Sequence, residues 1–261
     1  MKSKLLRART ARSASIAATL ALVVIPGVTF GAAINWLPDG DGFWDLPGNW
    51  GGGALPGAGD DVTINVGGAV VRIITHRIGT SSIRAIHNAE TVDVIDGSTL
   101  TISSGGLGST NTGTLQANNG TLNLVQSALN NAGGTLSAIN GGRISLSNGT
   151  VVSGGTLSTA TSGAILTALG STATLNGVTL ASDAQYIGSN ASATTLVGTI
   201  ANGGTITLSS AGNATDLLMS GNVTLTGAGS VLMGNGINNR ILGAGRLIND
   251  VGHTIQGGGQ I

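Results

Sequence analysis

The segments GTLQANNGTLNL (Gly113 to Leu124), GTLSAINGGRISL (Gly134 to Leu146) and GTLSTATSGAIL (Gly155 to Leu166) begin 21 residues apart. Each segment contains two short runs in which apolar and polar residues alternate, and a small polar turn lies between the runs. Such alternation is typical of β-strands. Looser copies continue to about Leu225, and repetition at a fixed period of this size is typical of a solenoid.

The composition of the repeats indicates which kind of solenoid they form. They are rich in Gly, Thr and Asn, which are poor helix formers, and they lack the i, i+3, i+4 apolar spacing of helical repeats. The fixed leucine and asparagine pattern of leucine-rich repeats is also absent. We therefore predict an all-β fold, a parallel β-helix with about 21 residues per turn. Residues 62–261 suffice for about nine turns and a rod roughly 45 Å long.

The alternation also predicts which side chains fill the coil. Every second residue of a strand points to the same face, so the apolar ones should stack in columns inside the rod. The predicted interior columns contain Leu115, Leu122, Leu124, Leu136, Ile144, Leu146, Leu157 and Ile165. The residues between them, such as Thr121, Asn123 and Ser145, are expected to face outward.

Glycine pairs mark the predicted corners, where the backbone must turn left-handed or approach a neighbouring coil closely. They occupy positions 133–134, 141–142, 154–155 and 203–204. Asparagine also tolerates left-handed conformations, and stacked asparagine side chains form amide ladders. We expect both properties at Asn118–Asn119 and Asn130–Asn131.

The N-terminus has the pattern of an export signal. Its first 12 residues contain five basic side chains and no acidic one, and an apolar run from about Ile16 to Val28 follows. Small residues then offer a cleavage site after Ala33, so we predict a signal peptide over residues 1–33. A retained membrane anchor is the alternative, but Pro26 interrupts the run, which is shorter than the ~20 residues that spanning needs.

Removal of this signal changes the charge of the chain. All eleven acidic residues but only six of the eleven basic ones lie after Ala33, so the mature chain carries a net charge of −5 and no lysine. This charge argues against nucleic acid as a partner and against docking to anionic lipid. The lack of cysteine does not distinguish an exported from a reduced compartment. The signal therefore indicates a secreted or cell-surface protein with no membrane span after cleavage.

The stretch WLPDGDGFWDLPGNW (Trp36 to Trp50) contains every tryptophan of a chain that is only 2% aromatic. Its prolines and glycines exclude a central strand. An open-ended solenoid needs a covered end, and one indole buries about 150–250 Å². We predict a cap over residues 34–61 in which Trp36, Trp44 and Trp50 cover the first coil. The alternative is an exposed platform on which the three indoles stack against sugar rings.

The cap and the last residues of the chain resemble a known group of proteins. The pattern W-x₂-D/G-G-D-G-x-W-D-x₃-NW-x₅-P-x₃-DDV-x-I is formed by Trp36, Gly40, Asp41, Gly42, Trp44, Asp45, Asn49, Trp50, Pro56, Asp60, Asp61, Val62 and Ile64. It resembles the N-terminal region of bacterial surface and autotransporter-like proteins made of β-strand repeats. The stretch LINDVGHTIQGGGQI (Leu247 to Ile261) is similar to a turn repeated in them.

This resemblance implies a right-handed parallel β-helix that is secreted or associated with the outer-membrane surface and has an adhesive or matrix role. The chain stops at Ile261 inside such a repeat. Either the chain is a fragment or a partner covers its end. We favour the fragment, and we therefore expect residues 62–261 to be a truncated set of repeats that continues in a longer polypeptide.

Asp39, Asp41 and Asp45 are the candidate metal ligands, because carboxylates at alternate positions can surround Ca²⁺. Their spacing matches no EF-hand, so aspartates that accept hydrogen bonds in turns are the favoured interpretation. The pair Asp60–Asp61 is interpreted in the same way. We predict no cofactor.

Polysaccharide lyases and hydrolases need paired carboxylates, or Ca²⁺ with a basic residue, on one face. The ionisable residues after Asp96 are too far apart in sequence for us to expect them to meet. They are Asp183, Asp216 and Asp250 with Arg143, Arg240 and Arg246. The histidines His76, His87 and His253 lack metal-binding spacing and are expected to be solvated turn residues. We predict no catalytic residue.

These features favour an exported, non-catalytic structural or adhesive module. Its partner would be a polysaccharide or a host or matrix surface. The alternative is a carbohydrate-binding module or a polysaccharide depolymerase built on the same β-helix.

Overall fold

The computed structural model describes residues 31–261 and confirms the parallel β-helix. The 27 strands of this part of the chain form one incomplete coil of two strands and nine full coils. Each full coil has three strand segments, because two long strands turn a corner and contribute to two faces, so the rod has three faces. Strands of neighbouring coils pair in parallel. At about 4.8 Å per coil, the rod is roughly 40 Å long. Within residues 31–261 no helix is long and apolar enough to cross a bilayer.

The strands alternate regularly among the three faces. Face 1 contains β1 (Ala33–Asn35), β3 (Asp61–Ile64), β6 (Ala85–Asn88), β9 (Gly108–Asn111), β12 (Ala128–Asn130), β15 (Thr150–Ser153), β18 (Thr172–Asn176), the first parts of β21 (Ala193–Asn202) and β23 (Thr215–Thr226), and β25 (Asn239–Gly243). Face 2 contains β2 (Gly42–Phe43), β4 (Ile73–His76), β7 (Thr91–Ile95), β10 (Thr114–Asn118), β13 (Thr135–Ile139), β16 (Thr156–Thr159), β19 (Thr179–Leu180), the second parts of β21 and β23, and β26 (Leu247–Asn249). Face 3 contains β5 (Thr80–Ile83), β8 (Thr99–Ser103), β11 (Thr121–Val125), β14 (Arg143–Ser147), β17 (Ala164–Thr167), β20 (Gln185–Gly188), β22 (Thr205–Leu208), β24 (Ser230–Met233) and β27 (Thr254–Gly257). A 3₁₀ helix spans Pro47–Asn49.

The core consists of apolar columns that run along the inside of the rod. Each of the eight residues expected in the interior columns is at most 1% exposed. Leu136, for example, pairs in register with Leu115 in one neighbouring coil and with Leu157 in the other. The alternating residues Thr121 and Asn123 are partly exposed. Since burial of one Leu or Ile side chain contributes roughly 1.5–3 kcal/mol, the columns supply the main stabilising term.

The number of residues in a coil varies more than the three repeats that begin at Gly113, Gly134 and Gly155 indicate. Leu136 and Leu157 are 21 residues apart, but Ala128 pairs with Gly108 at a separation of 20, and Thr205 pairs with Ser230 at a separation of 25. The extra residues lie at corners, where they do not disturb the columns. The spacing of 21 therefore describes only the middle coils.

The glycine pair at 141–142 shows how a corner is built. Gly141 has a φ of 79°, which places it in the left-handed region that glycine adopts at little cost. A Cβ on Gly142 would lie 2.0 Å from the backbone oxygen of Ala117 in the coil before, so only glycine allows the two coils to approach this closely. Asn119 and Asn140 have φ angles of 55° and 52° at the same corner.

Residues 33–60 form an incomplete coil on top of the first full one. β1 pairs with β3, and β2 pairs with β4. The predicted signal peptide lies outside the described residues except for residues 31–33. The Ala32 backbone oxygen accepts a hydrogen bond from the Asp61 N–H at 2.9 Å, so residues just before the predicted cleavage point already contact the rod.

Candidate functional site

The three tryptophans form one buried aromatic cluster at the N-terminal end of the rod. The Trp50 ring centroid lies 5.0 Å from that of Trp36 and 4.7 Å from that of Trp44, both in edge-to-face geometry. The Trp50 Nε1–H donates a hydrogen bond to the Trp44 backbone oxygen at 2.8 Å. All three side chains are at most 6% exposed and pack in the same apolar cluster as Val62 and Ile74. The indoles therefore cover the end of the apolar columns.

The candidate calcium ligands each bind a different group of the first full coil. The Asp39 carboxylate pairs with Arg72. Asp41 Oδ1 accepts a hydrogen bond from the Ile73 backbone N–H at 2.8 Å. In the part of the chain that the structure describes, no group of three His, Cys, Asp or Glu side chains is arranged to hold a metal ion. These aspartates thus attach the cap segment to the rod.

Asp45 completes this attachment through a two-point ion pair. Its carboxylate oxygens accept hydrogen bonds from Arg77 Nε and Nη2 at 3.1 and 3.2 Å. The Arg77 guanidinium also lies 3.5 Å from the centroid of the Phe43 ring. The hydrogen bonds from Arg77 lower the pKa of Asp45, so this carboxylate stays charged to a lower pH than an ordinary aspartate.

Asp60 and Asp61 also serve the junction between the cap and the rod. Asp60 accepts hydrogen bonds from the backbone N–H groups of Ala32 and Gly57 at 3.0 and 2.7 Å. Asp61 binds Arg84, one coil further on, with distances of 2.8 and 2.6 Å. These hydrogen bonds raise the pKa of Arg84.

His76 lies directly under the tryptophan cluster, and the prediction that it is a solvated turn residue is wrong. Its side chain is buried, and its ring centroid is 5.8 Å from that of Trp44. The two ring nitrogens are each 2.9 Å from a hydroxyl oxygen, Nδ1 from Ser98 and Nε2 from Ser81. Burial lowers the pKa of His76, because the charged imidazolium is poorly solvated there.

We expect the cap to loosen in mild acid. Because the pKa of His76 is lower in the folded chain than in the unfolded one, the unfolded chain binds more protons below the ordinary histidine value of 6.5. The contribution of His76 to stability is therefore complete above that pH and decreases as the pH falls below it. Tryptophan emission, which comes only from the cap, should shift to longer wavelength as the pH is lowered through this range.

Two variants separate His76 from the other histidines in this experiment. His76→Gln should flatten the acid transition of the emission. His253→Gln, at the opposite end of the rod, should leave that transition in place. An unchanged transition in His76→Gln would assign it to another group.

His253 is likewise buried, so the prediction of a solvated turn is wrong for it too. Its Nε2 lies 2.9 Å from Asn202 Nδ2, and its Nδ1 lies 2.6 Å from Asn249 Oδ1. Burial lowers its pKa. His87 is only partly exposed and lies 3.0 Å from the Thr110 hydroxyl.

The expectation that the later charged residues stay apart is wrong for Asp216 and Arg240. They lie in register on neighbouring coils of face 1 and form two hydrogen bonds of 2.7 Å. Asp216 raises the pKa of Arg240 through these bonds. The pair joins two coils in the same way as Asp61 and Arg84.

A ladder of asparagine side chains runs through one corner of the rod. Asn88 Nδ2 donates to Asn111 Oδ1 at 2.8 Å, and Asn111 Nδ2 donates to Asn131 Oδ1 at 2.7 Å. All three side chains are buried. Asn131 belongs to a predicted turn pair, whereas the sequence pattern does not indicate Asn88 or Asn111. A second contact, Asn140 to Asn118 at 2.9 Å, lies on the outside.

Tyr186 is a buried polar residue that the sequence pattern did not reveal. Its hydroxyl lies 2.7 Å from the Thr167 hydroxyl, which in turn lies 2.6 Å from that of Thr194. Burial raises the pKa of Tyr186 to about 12. This triad is enclosed, so it serves packing rather than recognition.

Face 2 presents an in-register column of threonines on the outside of five consecutive coils. The column contains Thr91, Thr114, Thr135, Thr156 and Thr179. Their spacing is that of the coils, about 4.8 Å. The column gives the rod a regular, uncharged and hydroxylated outer surface.

A notch of about 510 Å³ interrupts the corner between faces 2 and 3. It lies between the coil of β16 and β17 and the coil of β19 and β20. Its walls are the turns at residues 159–163 and 182–185. In the described chain it brings together exposed polar side chains from two neighbouring coils.

No protein-family model, curated protein or solved structure matches this chain.

Proposed function

We propose that this chain is an exported, non-catalytic structural or adhesive module of a cell surface. The observation that carries the proposal is the stack of nine coils closed at one end by a buried tryptophan cap. Such a rod holds outward side chains at fixed spacing along its length. The regular hydroxyl column on face 2 is the surface that we assign to contact with a polysaccharide or matrix.

The arrangement of charges supports a structural role. Arg72, Arg77 and Arg84 bind aspartates of the cap and of the first full coil. Arg240 binds Asp216 one coil away. Each of these ion pairs joins two successive layers of the rod, so the charged side chains stabilise the contact between layers.

The adhesive role is tested with beads coated with the purified chain. The number of beads that attach to the extracellular matrix of the cells that produce the protein is measured. Replacing Thr114, Thr135 and Thr156 together by alanine removes three successive hydroxyls without changing a buried column. We expect this variant to keep its circular dichroism spectrum and to lose most of the attachment. Full attachment of the variant would reject face 2 as the adhesive surface.

The tryptophan platform for sugars is the second candidate, and the burial of the indoles does not favour it. A platform needs accessible ring faces, whereas Trp44 and Trp50 are at most 1% exposed. Tryptophan emission that acrylamide quenches poorly and that does not change when polysaccharide is added would agree with a cap. Emission that responds to polysaccharide would favour the platform.

A further inference from the structure

We propose that the notch between faces 2 and 3 binds a sugar ring of an uncharged polysaccharide, through the side chains of Thr161, Ser162, Ser182, Asp183 and Gln185. These five residues lie on two successive coils and face the same open space. The proposal deepens the adhesive role by naming a ligand class. It rests on the proposed function in one respect, which is that the exported chain meets polysaccharides outside the cell.

The backbone of the notch is strained at Thr161 and Ser162, whereas the coil before has residues suited to the same conformation. Thr161 and Ser162 have φ angles of 49° and 65°, and Asp183 has a φ of 64°. The coil before carries Asn140 and Gly141 at the positions that correspond to Thr161 and Ser162. Asparagine and glycine adopt this left-handed conformation readily, whereas a β-branched threonine rarely does. Residues held in such conformations cluster at functional sites.

The side chains of the notch are free to bind a ligand. Thr161, Ser162, Ser182 and Asp183 are exposed, and within residues 31–261 their side chains make no hydrogen bond or ion pair. The Gln185 amide makes only a long contact of 3.4 Å to the Asp183 backbone oxygen. By contrast, the buried Thr159 hydroxyl is already used, because it accepts the Gln185 backbone N–H at 2.8 Å.

The chemistry of these groups fits sugar hydroxyls. Three hydroxyl groups and an amide both donate and accept hydrogen bonds, and the Asp183 carboxylate accepts two from neighbouring hydroxyls of one ring. No basic side chain lines the notch, so an anionic uronic acid would meet an unpaired carboxylate. A volume of about 510 Å³ lies in the range of sites for small molecules.

The proposal is tested by titrating the purified chain with soluble neutral glucans, mannans and galactans, and with polygalacturonate as the anionic comparison. We expect saturable binding to at least one neutral polymer and none to polygalacturonate. Asp183→Asn should weaken that binding about tenfold or more, because it removes a charged acceptor. Asp96→Asn is the matched control, because Asp96 is an aspartate with a φ of 54° at the same corner, three coils before Thr161.

A second variant separates binding from folding. Replacing Thr161 by Asn and Ser162 by Gly copies the coil before, so it should raise the unfolding temperature while it weakens binding. Binding that is unchanged in both notch variants, a preference for polygalacturonate, or no binding to any polymer would each overturn the proposal. Calcium alone bound through Asp183, without sugar binding, would reassign the notch to a metal. Attachment of beads through face 2 can persist in all of these cases, so the two proposals fail separately.

Discussion

Leu136→Asp is expected to destroy the cooperative unfolding transition of the rod, because it should lower the free energy of unfolding by more than about 4 kcal/mol. Leu136 is fully buried between Leu115 and Leu157. The substitution removes the apolar contacts with both neighbours and leaves an unpaired carboxylate inside the column. Because each coil of a solenoid is stabilised by its neighbours, one defect in the middle weakens both halves.

Thr135→Asp is the matched control for this result, because it introduces the same charge one residue earlier. Thr135 is partly exposed on face 2, so its carboxylate remains hydrated. We expect its unfolding curve, followed by far-ultraviolet circular dichroism in urea, to lie within about 0.5 kcal/mol of the original. Equal losses in the two variants would mean that the inward and outward faces are wrongly assigned.

Trp50→Ala is expected to detach the cap at a cost of about 3–5 kcal/mol, the range for loss of a large buried aromatic side chain. Trp50 contacts both other indoles and supplies the hydrogen bond to the Trp44 backbone. The remaining tryptophans should then show red-shifted emission and easy quenching. In urea, the unfolding transition of the nine coils, followed by circular dichroism, should occur at a higher concentration than the transition of the cap, followed by tryptophan emission.

Leu46→Ala provides the comparison within the same segment. Leu46 is 43% exposed, so its removal should change the stability of the cap by no more than about 0.5 kcal/mol. If Trp50→Ala left the emission of Trp36 and Trp44 blue-shifted, the cap would be held by the aspartate–arginine pairs rather than by the aromatic cluster.

The architecture could be predicted from the sequence because its cause is local. Alternation such as Thr121-Leu122-Asn123-Leu124 assigns an inward and an outward face to each strand without knowledge of its neighbours. The tryptophan cap was predicted for a similar reason, since Trp36 to Trp50 precede the first coil and are unsuited to a strand. These inferences need no exact pairing register.

The contacts between coils could not be predicted, because they depend on the length of every corner. A fixed period of 21 places Asp216 opposite Ile237, whereas the structure pairs it with Arg240, 24 residues away. The same variation brings His76 to Ser98 and Asn88 to Asn111. The notch could not be predicted either. Thr161 and Ser162 stand out only by comparison with Asn140 and Gly141, which occupy the same positions one coil earlier, and that correspondence depends on the register of the coils.

The parallel stacking of the coils also determines how the rod responds to a pulling force. The hydrogen bonds between coils run along the long axis, so tension between its two ends opens one layer at a time instead of shearing all layers at once. Each released layer of 20 to 25 residues lengthens the chain by roughly 60–85 Å. A rod loaded in this way would extend in steps and dissipate mechanical work.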